Sequence, residues 1–280
     1  MINRERSIAI MLAMLLGGAA FVYGLRSLEW HMTFHPVRMD HTVRRPPAGA
    51  SDVWFTTADG VRLHGWFFEN QANPQSATII FFHGNTGNIA DVGWLGERFY
   101  ERGFNVLLFD YRGYGASDGD TENETGLYAD GDAAVGFVVN EKGVPFDRIV
   151  LYGQSLGTTV VADVASRRQV GAVIIESGLS SASSIAGHAL PWLPQQLHFV
   201  ARNRFESAQK LARVNAPVLI SHGDPDPVLP TNEARLLFAA ANEPKRLLIV
   251  PGTGHNVLGS GGDPYLIEIL NFIHEAMARS

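Results

Sequence analysis

Ile149-Val150-Leu151-Tyr152-Gly153-Gln154-Ser155-Leu156-Gly157-Thr158-Thr159 reads as a strand, a sharp turn and the start of a helix. The β-rich apolar run ends at Gly153, a serine follows two residues later, and Gly157 opens a small-residue segment continuing through Val160, Val161 and Ala162. A turn of this kind holds its serine in a strained conformation with the hydroxyl standing proud of the sheet edge. The glycines on either side are required because side chains there would collide.

Working outward from Ser155, short apolar runs alternate with helical patterns. Strands are expected at Ala77 to Phe82, Asn105 to Phe109, Ile149 to Tyr152, Ala172 to Ile175, Val218 to Ser221 and Arg246 to Val250. Helices are expected at Asp91 to Arg102, Leu127 to Val139, Leu156 to Arg167, Thr231 to Ala241 and from about Pro264 to Ala278. Buried strands each followed by a helix call for a parallel sheet covered on both faces. Ahead of them, Val53 to Thr57 and Val61 to Phe68 flank Asp59-Gly60 and read as a hairpin. The alternation breaks between Ser177 and Val214, where Pro191, Trp192, Leu193, Pro194, Leu197, Phe199 and Phe205 make the segment too apolar for a solvated loop. Laid over the carboxyl edge of the sheet, it would form a helical cap lining a pocket.

A serine hydroxyl becomes a useful nucleophile only when a base takes its proton, and that base needs an orienting carboxylate. On open α/β sheets such groups gather at the carboxyl ends of strands. Of the ten histidines, His255 lies in Pro251-Gly252-Thr253-Gly254-His255-Asn256, a loop that follows the strand ending at Val250. Two carboxylates compete in His222-Gly223-Asp224-Pro225-Asp226. Asp224 is close enough to its turn to bond its own backbone, whereas Asp226 is free to reach an imidazole and is preferred. The resulting chain order of serine, aspartate and histidine is the one expected for a nucleophile on a strand–helix elbow. Oxyanion donors are expected from the backbone N–H of Leu156 and of Asn85, the latter in His83-Gly84-Asn85 after the Ala77 to Phe82 strand. His83 reads as a structural, hydrogen-bonded histidine. Asp110-Tyr111-Arg112-Gly113-Tyr114-Gly115 reads as a glycine-permitted loop pinned by Asp110 and Arg112 beside the nucleophile.

Composition narrows the field further. The chain has 280 residues with a net charge of −6 and no basic stripe, which argues against nucleic acid as a partner. It has no cysteine, which excludes disulfides and thiolate catalysis. His31 and His35 are four apart but lack the glutamate of a metal motif, so no metal and no cofactor is expected. Ile8 to Leu25 is an uncharged, mostly apolar run of 18 residues, just long enough to span a bilayer. Gly18-Ala19-Ala20 offers a signal-peptidase site as the competing reading, but the run continues through Phe21, Val22 and Tyr23, which favours an uncleaved anchor. Residues 1–26 are therefore expected as the anchor and 27–50 as a tether with Trp30 and Phe34 at the membrane interface. Residues 51–280 form the catalytic domain, with its cap insertion at about 177–214. Arginine balance leans toward a cytoplasmic body while leaving the side of the membrane open; a cleaved segment would make the protein secreted or periplasmic.

Phe81-Phe82-His83-Gly84-Asn85, Asp110 to Gly115, Gly153-Gln154-Ser155-Leu156-Gly157, His222-Gly223 to Asp226 and Gly254-His255-Asn256 together resemble the α/β-hydrolase superfamily, and within it the membrane-anchored ABHD-type serine hydrolases. The resemblance implies a mostly parallel eight-stranded sheet flanked by helices. It also implies Ser155 as nucleophile, Asp226 orienting His255, and Asn85 and Leu156 as oxyanion donors. One departure is Leu229, which stands before Pro230 where valine or isoleucine is common. The expected activity is cleavage of a carboxylic ester or thioester, of small-molecule or lipid-like acyl substrates, through an acyl-enzyme. A serine peptidase or amidase and a catalytically silent membrane-tethered interaction protein are the alternatives, and oligomeric state is left open.

Overall fold

The computed structural model describes residues 4–40, 45–73, 76–189, 194 and 201–279. Its centre is an eight-stranded sheet in the order β10-β9-β8-β7-β4-β6-β3-β2. The strands are β2 (Ala50–Thr56), β3 (Arg62–Phe68), β4 (Thr78–Phe82), β6 (Asn105–Phe109), β7 (Ile149–Gln154), β8 (Ala172–Glu176), β9 (Val218–Gly223) and β10 (Lys245–Val250). Only the pairings of β2 with β3 and of β3 with β6 are antiparallel; β4 and β6 to β10 run parallel.

Side-chain alternation along the parallel strands divides the interior in two. Ile80, Phe82, Leu107, Phe109, Leu151 and Val173 enter one core, and their neighbours Ile79, Phe81, Val106, Leu108, Val150 and Ile174 enter the other. Both faces are therefore buried, which is why these strands read as continuous apolar runs. Each fully buried large side chain contributes about 1.5–3 kcal/mol by its removal from water. Helices α3 (Glu124–Asn140) and α4 (Gly157–Ala165) cover the first face; α2 (Gly93–Tyr100) and α8 (Val257–Met277) cover the second. α7 (Asn232–Ala240) joins the first set through Ala234 and Leu237.

Chain order places β6 on one side of β4 and β7 on the other. The order in which the chain adds strands thus reverses between β4 and β7, and the carboxyl ends of strands at such a point are where ligands bind in folds of this kind.

Three expectations need correction. The expected helix at 91–102 is shorter: a 3-10 turn over Ile89–Asp91 precedes α2, with Asn88 and Asp91 forming a reciprocal cap. The last helix does run from about Pro264, but a short helical segment that was not expected precedes it: α8 begins at Val257, where Asn256 accepts from the Gly259 N–H, and Gly262, at φ 59° and ψ −148°, breaks it before Pro264. The apolar N-terminal helix, α1 (Arg4–Thr33), runs beyond residue 26 into the stretch expected as a tether. Its Trp30 and Phe34 do not lie free for a membrane interface: Phe34 is buried against Phe205, and the Trp30 indole N–H donates to the Thr121 carbonyl. Residues 8–33 are long and apolar enough to cross a membrane.

Between β8 and β9, in the segment expected as a cap, lie α5 (Ala182–Ala189) and α6 (Ser207–Leu211). The cap residues Pro191, Trp192, Leu193, Leu197 and Phe199 fall outside the described residues.

Candidate active site

Ser155 sits between β7 and α4 with φ of +51°, a left-handed conformation that a residue with a side chain adopts only when its surroundings impose it. The imposing groups are the two flanking glycines. A Cβ on Gly157 would lie 2.0 Å from the Phe82 carbonyl oxygen, and one on Gly153 would lie 2.8 Å from the Gly157 backbone. The helix can approach β4 and β7 this closely only because both positions lack a side chain. The Ser155 N–H donates to the Glu176 carbonyl at 2.9 Å, tying the turn to the end of β8.

Three loops bring partners to this serine. His255, after β10, places Nε2 2.9 Å from Ser155 Oγ. Its Nδ1 lies 2.8 Å from Asp226 Oδ2, on the loop after β9. A carboxylate can only accept, so Nδ1 carries the proton and Nε2 is left to accept from the serine hydroxyl. Asp226 accepts through Oδ1 from the Val228 and Leu229 N–H groups at 2.8 and 3.0 Å, and its Oδ2 lies 3.0 Å from His222 Nε2. Burial alone would raise this carboxyl, but the bonds donated by His222, His255 and the backbone outweigh it and hold the group well below the usual carboxylate range. It therefore stays ionised beside the imidazole. Asp224, the competing carboxylate, points elsewhere: its Oδ1 accepts from the Gly252 N–H at 2.7 Å and fixes the neighbouring loop.

The loop after β4 supplies the third side. Gly84 lies against the serine, a Cβ built on it falling 3.6 Å from that of Ser155. His83 is buried, and its Nδ1 donates to the Gly84 carbonyl at 2.7 Å. Burial lowers its pKa, so the ring is the neutral Nδ1–H form. A trans peptide points its N–H opposite to its carbonyl. Tying down the Gly84 carbonyl therefore fixes the direction of the Asn85 N–H. Among the described residues, the N–H groups of Asn85 and Leu156 donate to no other backbone or side-chain acceptor.

One participant escaped the sequence reading. Glu176, at the end of β8, is fully buried. Its Oε1 accepts from Gln154 Nε2 at 3.0 Å and from the Val257 and Leu258 N–H groups at 3.1 and 3.3 Å; Oε2 accepts from the Tyr152 and Tyr265 hydroxyls. One carboxylate thus joins the residue before Ser155 to the helix that starts two residues after His255. Its only sequence signal is a glutamate directly after an apolar run. Asp110 and Arg112 are buried as expected: Asp110 accepts the Ile89 N–H, and Arg112 bonds Asp130 and Asp59.

Residues 73–209 match the Hydrolase_4 family model, described as serine aminopeptidase, S33. YfhR of Escherichia coli K12 is 36% identical over 244 residues, spanning 82% of this chain and 83% of its own. The α/β-hydrolase domain-containing protein WAV2 of Arabidopsis thaliana is 31% identical over 242 residues, 80% of this chain and 78% of its own. The chain belongs to the α/β-hydrolase superfamily. Among solved structures, the Pyrococcus furiosus esterase Pf2001 shares this α/β-hydrolase fold with a TM-score of 0.68 at 20% identity, covering 88% of this chain and 99% of that one.

Proposed function

We propose that this α/β-hydrolase is a membrane-tethered serine hydrolase that cleaves carboxylic ester or thioester bonds of acyl-chain-bearing substrates. The observation that carries the proposal is the continuous relay from Asp226 through His255 to Ser155, with contacts of 2.8 and 2.9 Å. In this reading Ser155 Oγ attacks the acyl carbonyl carbon as its proton passes to His255 Nε2. The oxyanion is received by the Asn85 and Leu156 N–H groups. Collapse expels the alcohol or thiol, which takes the proton from His255, and leaves an acyl-serine. Water, deprotonated by the same imidazole, then releases the acid and restores the serine. Throughout, ionised Asp226 keeps His255 in the tautomer the transfer needs and stabilises the imidazolium. The apolar helix α1 supports a substrate drawn from a membrane surface, and the esterase activity named for the Pyrococcus protein supports the choice of bond.

A second reading, a peptidase, is favoured by the aminopeptidase description of the matched family model. Turnover of p-nitrophenyl esters of rising chain length, run beside acyl thioesters and aminoacyl p-nitroanilides, separates the two. Ester or thioester hydrolysis at least tenfold above amide hydrolysis is expected; amide cleavage without ester cleavage selects the peptidase.

A further inference from the structure

We infer that the end of α1 and the segment leaving it, residues 29–39, form a working part of the active site: a strap that holds the oxyanion loop in its reactive shape. The inference rests on the serine-hydrolase reading and extends it to residues that touch none of the reacting atoms.

The strap bonds first to the loop that carries Asn85. The His35 N–H donates to the Asn85 carbonyl at 3.0 Å, and His35-Pro36 (β1) pairs in parallel with Thr86-Gly87 (β5). The Tyr114 hydroxyl donates to the same Asn85 carbonyl at 3.0 Å. Asn88 Nδ2 donates to the Val37 carbonyl at 3.2 Å. Both peptides flanking the Asn85 α-carbon are consequently fixed, the preceding one by His83 and the following one by the strap and Tyr114. With both planes set, the Asn85 N–H has one direction, a requirement for an oxyanion donor, which must point at the charge before it develops.

The strap is itself seated on the Asp110 to Gly119 loop. Gly115 donates to the Val37 carbonyl at 2.9 Å, and Met39 donates back to the Gly115 carbonyl at 2.8 Å. The Arg38 guanidinium donates to the Ser117 and Gly119 carbonyls. This gives the Asp110-Tyr111-Arg112-Gly113-Tyr114-Gly115 string a purpose: it is the bed on which the strap lies, while Tyr114 reaches past it to Asn85. At its upstream end the strap takes hold of the cap's root. Glu29 accepts from the Arg202 and Asn203 N–H groups, each at 2.7 Å, and Phe34 packs on Phe205. One continuous stretch therefore touches the oxyanion loop, its supporting loop and the end of the cap.

A strap with this duty acts on the rate of the chemical step more than on substrate binding. The test uses the full-length chain in detergent, with Arg38→Ala compared to wild type by fluorophosphonate labelling of Ser155 and by steady-state hydrolysis of p-nitrophenyl acetate. A short soluble ester removes membrane access from the measurement. We expect kcat and the labelling rate to fall about tenfold or more, with KM within about twofold, while near-ultraviolet circular dichroism stays native. Should Arg38→Ala not fold, Trp30→Phe, which keeps an aromatic ring but removes the N–H bonded to Thr121 and part of the indole's packing, carries the same comparison with an expected loss of about threefold. An unchanged kcat and labelling rate in a folded variant overturns the inference alone. Wild-type protein that fails to label at Ser155 overturns the hydrolase reading, and this inference with it.

Discussion

The turn that carries Ser155 and the loop that carries Asn85 lie side by side at the carboxyl ends of β7 and β4 but are built by opposite means. The elbow is made almost entirely by its own neighbours in sequence. Gly153, Ser155 and Gly157 lie within five residues, and their shape follows from close backbone approach. The Asn85 loop is fixed on one side by His83, two residues before, but on the other by residues far away in the chain: His35 is 50 positions upstream of Asn85, and Tyr114 is 29 downstream. Local steric demand leaves a motif in the sequence. Long-range support leaves only scattered polar residues that mean nothing until the chain has folded.

Substitutions can break or sharpen this contrast. The largest effect is expected at the elbow itself: Ser155→Ala should abolish fluorophosphonate labelling and lower ester turnover by about 10⁶-fold, as loss of a triad nucleophile does elsewhere. Surviving labelling would remove Ser155 from the chemistry.

Asp226→Asn is expected to lower kcat about 10⁴-fold, because an amide no longer fixes the Nδ1–H tautomer of His255. Asp224→Asn serves as its partner and should stay within about tenfold of wild type, since that side chain only ties down Gly252. Equal losses at the two positions would break the assignment. A pH signature accompanies it. The Asp226 carboxyl is held below its ordinary value, so its contribution to stability is complete above about pH 4 and is lost as pH falls toward the depressed value. Melting temperature measured down the acid limb should therefore fall less steeply in Asp226→Asn than in wild type.

Gly157→Ala probes the steric side of the contrast. A methyl group 2.0 Å from the Phe82 oxygen must push the helix from the sheet, at about 3 kcal/mol by analogy with overpacked cores. Urea denaturation should register the loss, and labelling should slow together with it.

Glu176→Gln has the smallest expected stability cost of these. It keeps the shape but sets an amide NH₂ where the Tyr152 and Tyr265 hydroxyls now donate, so that these must turn to accept and a donor is left without its partner at about 2 kcal/mol. The urea midpoint should shift accordingly, and kcat should drop about tenfold because the link from Gln154 to the start of α8 is weakened. A variant with wild-type midpoint and kcat would show that the elbow and the His255 loop are positioned independently.

How much of this could be read from the sequence follows the same division. β4, β6, β7 and β8 were legible because burial on both faces makes unbroken apolar runs, and the approach of Ser155, Asp226 and His255 to one another was legible because each lies in the loop beyond the carboxyl end of a strand. The structure brings those three together at hydrogen-bonding distance. Glu176 was not legible, since nothing local distinguishes a buried acceptor of five bonds from a glutamate at a strand end. The first segment of α8 was hidden because glycines at 259 and 261 argue against helix, while the groups that overrule them, Asn256 and Glu176, act through capping and tertiary bonding; at Gly262 the backbone does leave the helical region. Trp30 and Phe34 misled for a related reason: an aromatic residue near an apolar helix reads as an interface residue, and its true partners, Thr121 and Phe205, are about 90 and 170 positions away.

Helix α1 runs without a break to Thr33, directly before the buried Phe34. A helix advances about 1.5 Å and turns about 100° with each residue. With Ile8 to Leu25 seated in a bilayer, the spacing from Leu25 to Glu29 becomes a rotational address that selects which side of the catalytic body faces the lipid. One alanine inserted there would swing the active site about 100° around the helix axis while lifting it scarcely at all; a fourth would bring it nearly back into phase. Hydrolysis of vesicle-borne esters plotted against insertion length should therefore rise and fall with the helical period, while hydrolysis of a freely soluble ester should not.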